Sequence, residues 1–184
     1  MTQETIRLIG EMIGIVAIVE GFLIYLSNKR DKILIFKFIS DALWLFNQLC
    51  LGGYTGALLN LIAMGREGVF YFRDKKAFAS SRFWLYFFLS LTLVSPIISL
   101  VAGGEGWYAV LPALGSMAAV IGFYSRSPRV TRLTSLAANS LWLIYDAIIS
   151  NYSALLSCAI LLLSAIVGMI ASVIRKKRQE NREE

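Results

Sequence analysis

The chain has 184 residues, 57% of them hydrophobic and 16% charged, with a formal net charge of +6, no histidine and two cysteines. Its mean hydropathy is +0.65; a soluble domain of this length needs more charge to cover its surface, and Cys50 and Cys158 alone cannot close a zinc site. The apolar residues fall in blocks of about 18 or more, each long enough to cross roughly 30 Å of hydrocarbon as a helix.

The first block, residues 6–27, carries Glu11 and Glu20, follows Glu4 with only Arg7 as an early positive charge, and precedes no small-residue cleavage site. It reads as a retained span rather than a signal peptide. Further spans are predicted over 33–51, 54–73, 83–101, 107–125, 133–150 and 152–174. The breaks have turn or charge chemistry. Ser27 to Lys32 ends the first span, Gly52-Gly53 turns after the second, and Arg73-Asp74-Lys75-Lys76 through Arg82 separates the third from the fourth. Gly103-Gly104-Glu105-Gly106 closes the fourth, Ser127-Pro128 breaks the chain after the fifth, and Ser150-Asn151 turns it after the sixth.

Lys and Arg cluster after spans one, three, five and seven, and the loops after spans two, four and six have none. Positive charge stays on the cytoplasmic side, so seven spans with an outside N-terminus put every basic run in the cytoplasm. Trp84, Tyr86, Trp107 and Tyr108 lie at span ends, as an interfacial aromatic belt requires.

A shift of 98 residues lays Leu43-Trp44-Leu45 on Leu141-Trp142-Leu143 without a gap. It also pairs Asp41 with Asn139, Gln48 with Asp146, Tyr54 with Tyr152, and Asn60 with Cys158. Spans one to three therefore correspond to spans five to seven, with span four as connector. Both copies enter the membrane from the same side, which makes them parallel repeats. The expected organisation is 1–76 for the first three-helix repeat, 77–104 for the linker with helix four, 105–174 for the second repeat, and 175–184 for a cytoplasmic tail. The fold class is all-α membrane protein, seven helices arranged 3+1+3.

Polar side chains at membrane depth are expensive and are functional candidates by default. At about 100° per residue, Asp41, Trp44 and Gln48 share one helix face with Asn47 at its flank; Asn139, Trp142 and Asp146 repeat that face. An aromatic plate between hydrogen-bonding groups suits a sugar-like or ring-bearing solute. The competing reading is that these groups bond helices together. Span three adds Asn60 and Glu67 on one face and Arg66 beside it. Glu20, Arg66 and Glu67 are candidate ion-pair or coupling groups, with Glu20 a partner for Arg66 or a protonatable site. Snorkelling at a helix end is the bland account of Arg66 and Glu67. Pro112 reads as a kink or hinge in span five.

No phosphate-binding loop, nucleophile elbow or Cys/His cluster is present, so neither an enzyme nor an ATP-driven pump is expected, nor a cofactor or metal. The basic residues fall in inter-span runs, so nucleic acid is not an expected partner. Three-plus-one-plus-three parallel helices resemble the SWEET, semiSWEET and PQ-loop (MtN3-like) superfamily, with PnuC vitamin transporters also similar. A closer resemblance, over nearly the whole chain, is to YgjV-type bacterial inner-membrane proteins. It rests on the Ser27–Lys32 loop, Gly52-Gly53-Tyr54, Leu59-Asn60 with Arg66 and Arg73, and Ser140-Leu141-Trp142-Leu143-Ile144-Tyr145.

In the sugar-carrying relatives a middle-helix Trp and a third-helix Asn line the pocket, and the resemblance places Trp44, Trp142 and Asn60 there. Cys158 stands where a second Asn is expected, and neither repeat has a Pro-Gln pair in its first helix. The expectation is an inner-membrane transporter or facilitator of a small polar solute, in the bilayer and as a homo-oligomer or alone. The solute would sit between Trp44 and Trp142 and hydrogen-bond to Asp41, Asn47, Gln48, Asn60, Asn139 and Asp146. The alternatives are a non-transporting scaffold or sensor, and an ion or proton conductor using Glu20, Asp41, Arg66 and Glu67.

Overall fold

The computed structural model describes residues 2–26, 30–72, 75–102, 104–124, 128–163 and 166. The predicted breaks at Ser27–Lys29, Arg73-Asp74, Gly103 and Ser127, the end of the seventh span and the basic tail lie outside the described residues.

Among the described residues the chain forms seven α-helices and no strand. They are α1 (Gln3–Leu26), α2 (Arg30–Leu51), α3 (Tyr54–Tyr71), α4 (Phe83–Val101), α5 (Val110–Tyr124) and α6 (Pro128–Ile148), followed by α7 (Tyr152–Leu163). Short 3₁₀ turns at Ala77–Ser80 and Trp107–Ala109 lead into α4 and α5. Several helices start before the apolar windows do. α6 begins at Pro128, not near 133, because proline suits a first helical position, where no N–H is required. Pro112 falls in the first turn of α5, where a missing N–H breaks no helical bond, so it is not a mid-helix hinge. Pro96 lies inside α4 and frees the carbonyl of Thr92. The Ser95 hydroxyl donates to that oxygen at 2.8 Å, and α4 continues unbroken.

Among helices α1 to α6 the most extensive interfaces are α1 with α2 and α5 with α6, then α2 with α3. α4 packs on α3 and α5 more lightly. The turns between α2 and α3 and between α6 and α7 are copies of each other. Gly52 and Ser150, 98 residues apart, hold φ of 80° and 56°. The following amides donate back alike: Gly53 N–H to the Gln48 carbonyl and Asn151 N–H to the Asp146 carbonyl, each at 2.8 Å. This is the helix-ending motif in which a left-handed residue turns the chain out of the helix.

Burial is inverted relative to a soluble protein. Asn47, Gln48, Thr55, Asp146 and Asn151 are at most 1% exposed, whereas Leu8, Met12, Ile15 and Val19 form an open apolar stripe on α1, Val19 at 62%. In water such a stripe would be a large exposed apolar patch; against lipid it is the solvated face. By length and apolarity alone, the described residues hold two helices able to cross a membrane, Leu34–Leu51 within α2 and Phe83–Val101. α5 and α7 are short apolar helices.

Candidate solute site and the polar core

The polar groups form three layers along the bundle. The outermost lies at the end that carries the α2–α3 and α6–α7 turns. Asn47 and Gln48 arrive there one turn before α2 ends, and Tyr145 and Asp146 near the end of α6. Gln48 Nε2 donates to Asp146 Oδ1 at 3.0 Å, a bond between residues 98 apart. The bond joins two positions that the 98-residue shift equates.

The N-termini of α3 and α7 are capped crosswise. In α7, Glu11 of α1 accepts from the N–H groups of Tyr152 (2.9 Å) and Ser153 (2.8 Å), and Asn151 Oδ1 accepts from Ala154 N–H at 3.1 Å. Asn151 is thus an N-cap, and Glu11 puts a carboxylate at the positive end of the helix. In α3 the cap position is Gly53, which has no side chain. A Cβ there would meet Gln48 Oε1, Ile149 Cδ1 and Tyr145 Oη. The other half of the chain supplies the missing cap: Glu105 Oε1 accepts from Thr55 N–H at 3.1 Å, and Tyr145 Oη from Gly56 N–H at 3.1 Å. Tyr145 in turn donates to Glu105 Oε1 at 2.8 Å. Thr55 and Ser153 are equivalent by the 98-residue shift, so each half caps the same position of the other. Arg7, equivalent to Glu105, reaches across as well and donates to the Ser150 carbonyl at 2.9 Å.

Asn47 takes part in this joint. Its Nδ2 donates to the Gly10 carbonyl (2.8 Å) and Ser153 Oγ (3.1 Å), and its Oδ1 accepts from Asn151 Nδ2 at 2.7 Å. It has no exposure, and its side-chain amide is engaged at both ends by protein groups in this structure. Gly10 and Gly14 allow α1 this close: a Cβ on Gly10 would lie 2.7 Å from Cys50 Cβ, and one on Gly14 would strike Ser153.

One turn deeper, about 6 Å along the helices, come Trp44, Asn60 and Trp142, all half-buried, with half-buried Asn139 a turn below. Asn60 Nδ2 donates to the Gly56 carbonyl at 3.0 Å and Asn139 Nδ2 to the Ser135 carbonyl at 2.8 Å, each within its own helix. Those bonds orient the amides and leave their oxygens unengaged by any described residue. Trp142 stands edge-on to Tyr145, ring centroids 5.8 Å apart, over Gly115 of α5, where a Cβ would come within 2.9 Å of the indole. Trp44 and Trp142 do not touch each other through their rings. Cys158 is buried in α7 at 4.0 Å from Asp146 Oδ2.

The third layer is charged and belongs to the first half of the chain. Lys37 Nζ lies 3.4 Å from Asp41 Oδ1 and 4.0 Å from Glu67 Oε1, and Arg66 Nη2 lies 3.0 Å from Glu67 Oε1. Arg66 and Glu67 are 7% and 4% exposed, so they pair in the interior instead of snorkelling. Arg66 finds its acid next door in sequence, not in Glu20. Glu20 is buried beside Ser40, Asp41 and Lys37, and neither of its oxygens meets a described hydrogen-bond donor. The equivalents of Glu20, Lys37, Asp41, Arg66 and Glu67 are Ala118, Ser135, Asn139, Ser164 and Ala165, all neutral. Sequence reasoning missed Lys37, legible from its four-residue spacing to Asp41, and the capping roles of Glu11 and Glu105, which no local spacing announces.

No group of three or more metal-ligating acids, cysteines or histidines occurs among the described residues. Neither a curated protein nor a solved structure matches the chain. A family model does, over residues 8–177, and its description is bacterial inner membrane protein. With most of its length matched and its polar groups turned inward from an apolar exterior, the chain belongs to the Imp-YgjV family of bacterial inner membrane proteins.

Proposed function

We propose that this protein is a transporter or facilitator of a small polar solute, sugar-like or vitamin-like, working by alternating access between two parallel three-helix repeats joined by α4. The reading takes all seven helices as spans, the N-terminus outside and the basic loops cytoplasmic, in a SWEET-like 3+1+3 arrangement. The observation that carries it is the Gln48–Asp146 bond between repeat-equivalent residues. It supports a two-fold relation between the halves, and with the crossed caps it closes the outer end of that axis. Beneath the closure lie Trp44 and Trp142, apart from each other, with the side-chain oxygens of Asn60 and Asn139 as acceptors. Such a layer fits a ring-bearing solute stacked between aromatic plates and hydrogen-bonded at its rim. Rocking of the halves would break the outer contacts and expose the layer to the other side.

No catalytic role enters this proposal. A second reading, a non-transporting scaffold, draws support from Asn47, whose polar groups are spent on joining helices. The two separate in one experiment. Purified protein is screened by thermal shift against a panel of sugars, nucleosides and vitamins, and hits are taken to flux in liposomes. Transport reduced at least tenfold by Trp142→Ala and by Asn60→Ala, with folding intact, supports the transporter. Wild-type flux in both variants refutes the site, and an absence of any solute-dependent shift or flux favours the scaffold.

A further inference from the structure

Asp146 is a buried carboxylate with no cation beside it among the described residues; Glu20, also buried and without a described hydrogen-bond donor, at least lies near Lys37. Asp146 is 1% exposed and sits in the last turn of α6, where the carbonyl end of the helix favours cations and not anions. Oδ1 accepts one hydrogen bond, from Gln48 Nε2 at 3.0 Å, and Oδ2 accepts at most a weak one from the Cys158 S–H at 4.0 Å. No Lys or Arg pairs with it among the described residues. The groups that face it are Gln48 from α2, Cys158 from α7 and Glu11 from α1, with Tyr145 on its own helix leading to Glu105. None is a cation. Other carboxylates of the bundle are answered differently. Asp41 and Glu67 have Lys37 and Arg66, and Glu11 and Glu105 have helix N-terminal amides.

An ionised carboxylate removed from bulk solvent and without a counter-charge is disfavoured. A metal ion does not fit Asp146 well, since its two polar neighbours are an N–H donor and a thiol, neither of them an oxygen ligand for a hard cation. A proton fits the site: the neutral acid accepts from the Gln48 amide at Oδ1 and carries its O–H on Oδ2, where the Cys158 sulfur, 4.0 Å away, offers only a weak contact in either direction.

We infer that Asp146 is a proton-binding site, and that the Gln48–Asp146 contact is a proton-linked closure of the outer end of the bundle. The closed contact is dry and neutral while the proton is bound; releasing it leaves an anion that needs water, which favours separation of the two halves. The repeat partner Gln48 cannot titrate, so this pair carries one proton per chain. The inference rests on the alternating-access reading and adds the coupling species to it.

The test uses the purified full-length chain in detergent and needs no solute. Thermal unfolding is followed from about pH 5 to about pH 8.5 in choline buffers of constant ionic strength, with and without sodium. A folded chain that holds a proton the unfolded chain releases loses stability as pH rises. The wild-type Tm should fall by about 2 °C or more across this range. Asp146→Asn, a neutral mimic of the protonated state, should match the wild type at pH 5 and show a smaller fall. Glu11→Gln should keep it. A fall of unchanged size in Asp146→Asn overturns the proposal, as does a sodium-dependent rise in wild-type Tm that Asp146→Asn abolishes. Infrared difference spectra between the two pH values supply a second readout. Asp146→Glu should shift the buried carboxylic C=O band, and a band that stays in place overturns the assignment. These readouts are independent of flux, so a failed solute screen removes the transporter reading and leaves the proton site standing.

Discussion

Asn151→Ala probes the joint that ties the halves together. The side chain is fully buried, its Oδ1 caps α7 at Ala154 N–H, and its Nδ2 is the described donor to Asn47 Oδ1, at 2.7 Å. Losing an N-cap costs about 1 kcal/mol. Leaving the Asn47 oxygen buried without its donor adds about 1–3 kcal/mol. The sum is about 2–4 kcal/mol, which lowers Tm by roughly 5–15 °C in a chain of this length. The assay is thermal or denaturant unfolding in one fixed detergent, on Asn47→Ala, Asn151→Ala and the double variant. Because the two amides answer each other, the double variant should be less destabilised than the sum of the singles by about 0.5–3 kcal/mol. Additivity within about 0.5 kcal/mol, or an Asn151→Ala loss no larger than that of a lipid-facing Leu8→Ala control, would refute the joint.

The glycines of α1 make a paired test. Gly14→Ala drives a methyl into Ser153 and should push α1 off α7, lowering Tm by several degrees, while Gly21→Ala, with open space around its Cβ position, should be neutral or gain about 0.5–1 kcal/mol from helix propensity. Glu11→Gln and Glu105→Gln each weaken a charge-assisted cap, and each should cost about 0.5–2 kcal/mol by the same unfolding assay; no loss in either would dismiss the crossed-cap arrangement. Orientation is checked by reporter fusions in cells: a C-terminal fluorescent protein should mature in the cytoplasm and a C-terminal alkaline phosphatase should stay inactive, and the reverse pattern would invert the topology.

Part of the site was legible because helices have fixed periodicity. Positions 41, 44 and 48 and positions 139, 142 and 146 recur on one face each, and the 98-residue shift equates them, so Gln48 and Asp146 could be paired on paper before they were seen to bond. Lys37 was hidden because its charge reads as part of the basic end of α2, although its spacing to Asp41 is that of a helical ion pair. The helix partners of Asn47 were not legible because a single amide on a buried face gives no sign of whether it meets a ligand or another helix. Gly10 and Gly14 are the only hint that α1 comes near enough to engage it.

The sequence by itself determined the membrane environment, the helical class, the two similar turns and the doubled polar-aromatic face. These depend on apolar run length, loop chemistry and periodicity, all of which are local. Only the tertiary structure decided who answers whom: that Glu11 and Glu105 cap each other's halves, that Arg66 takes Glu67 and leaves Glu20 beside Ser40, and that Asp146 meets Gln48 without a counter-charge. Partners of a buried polar group are set by which helices approach and how closely. Small residues such as Gly14 and Gly53 control that approach, and the bonds they permit join residues far apart along the chain. The polar-aromatic layer of this membrane protein is therefore visible in its sequence as a pattern, and the contacts beside it only as a set of long-range bonds.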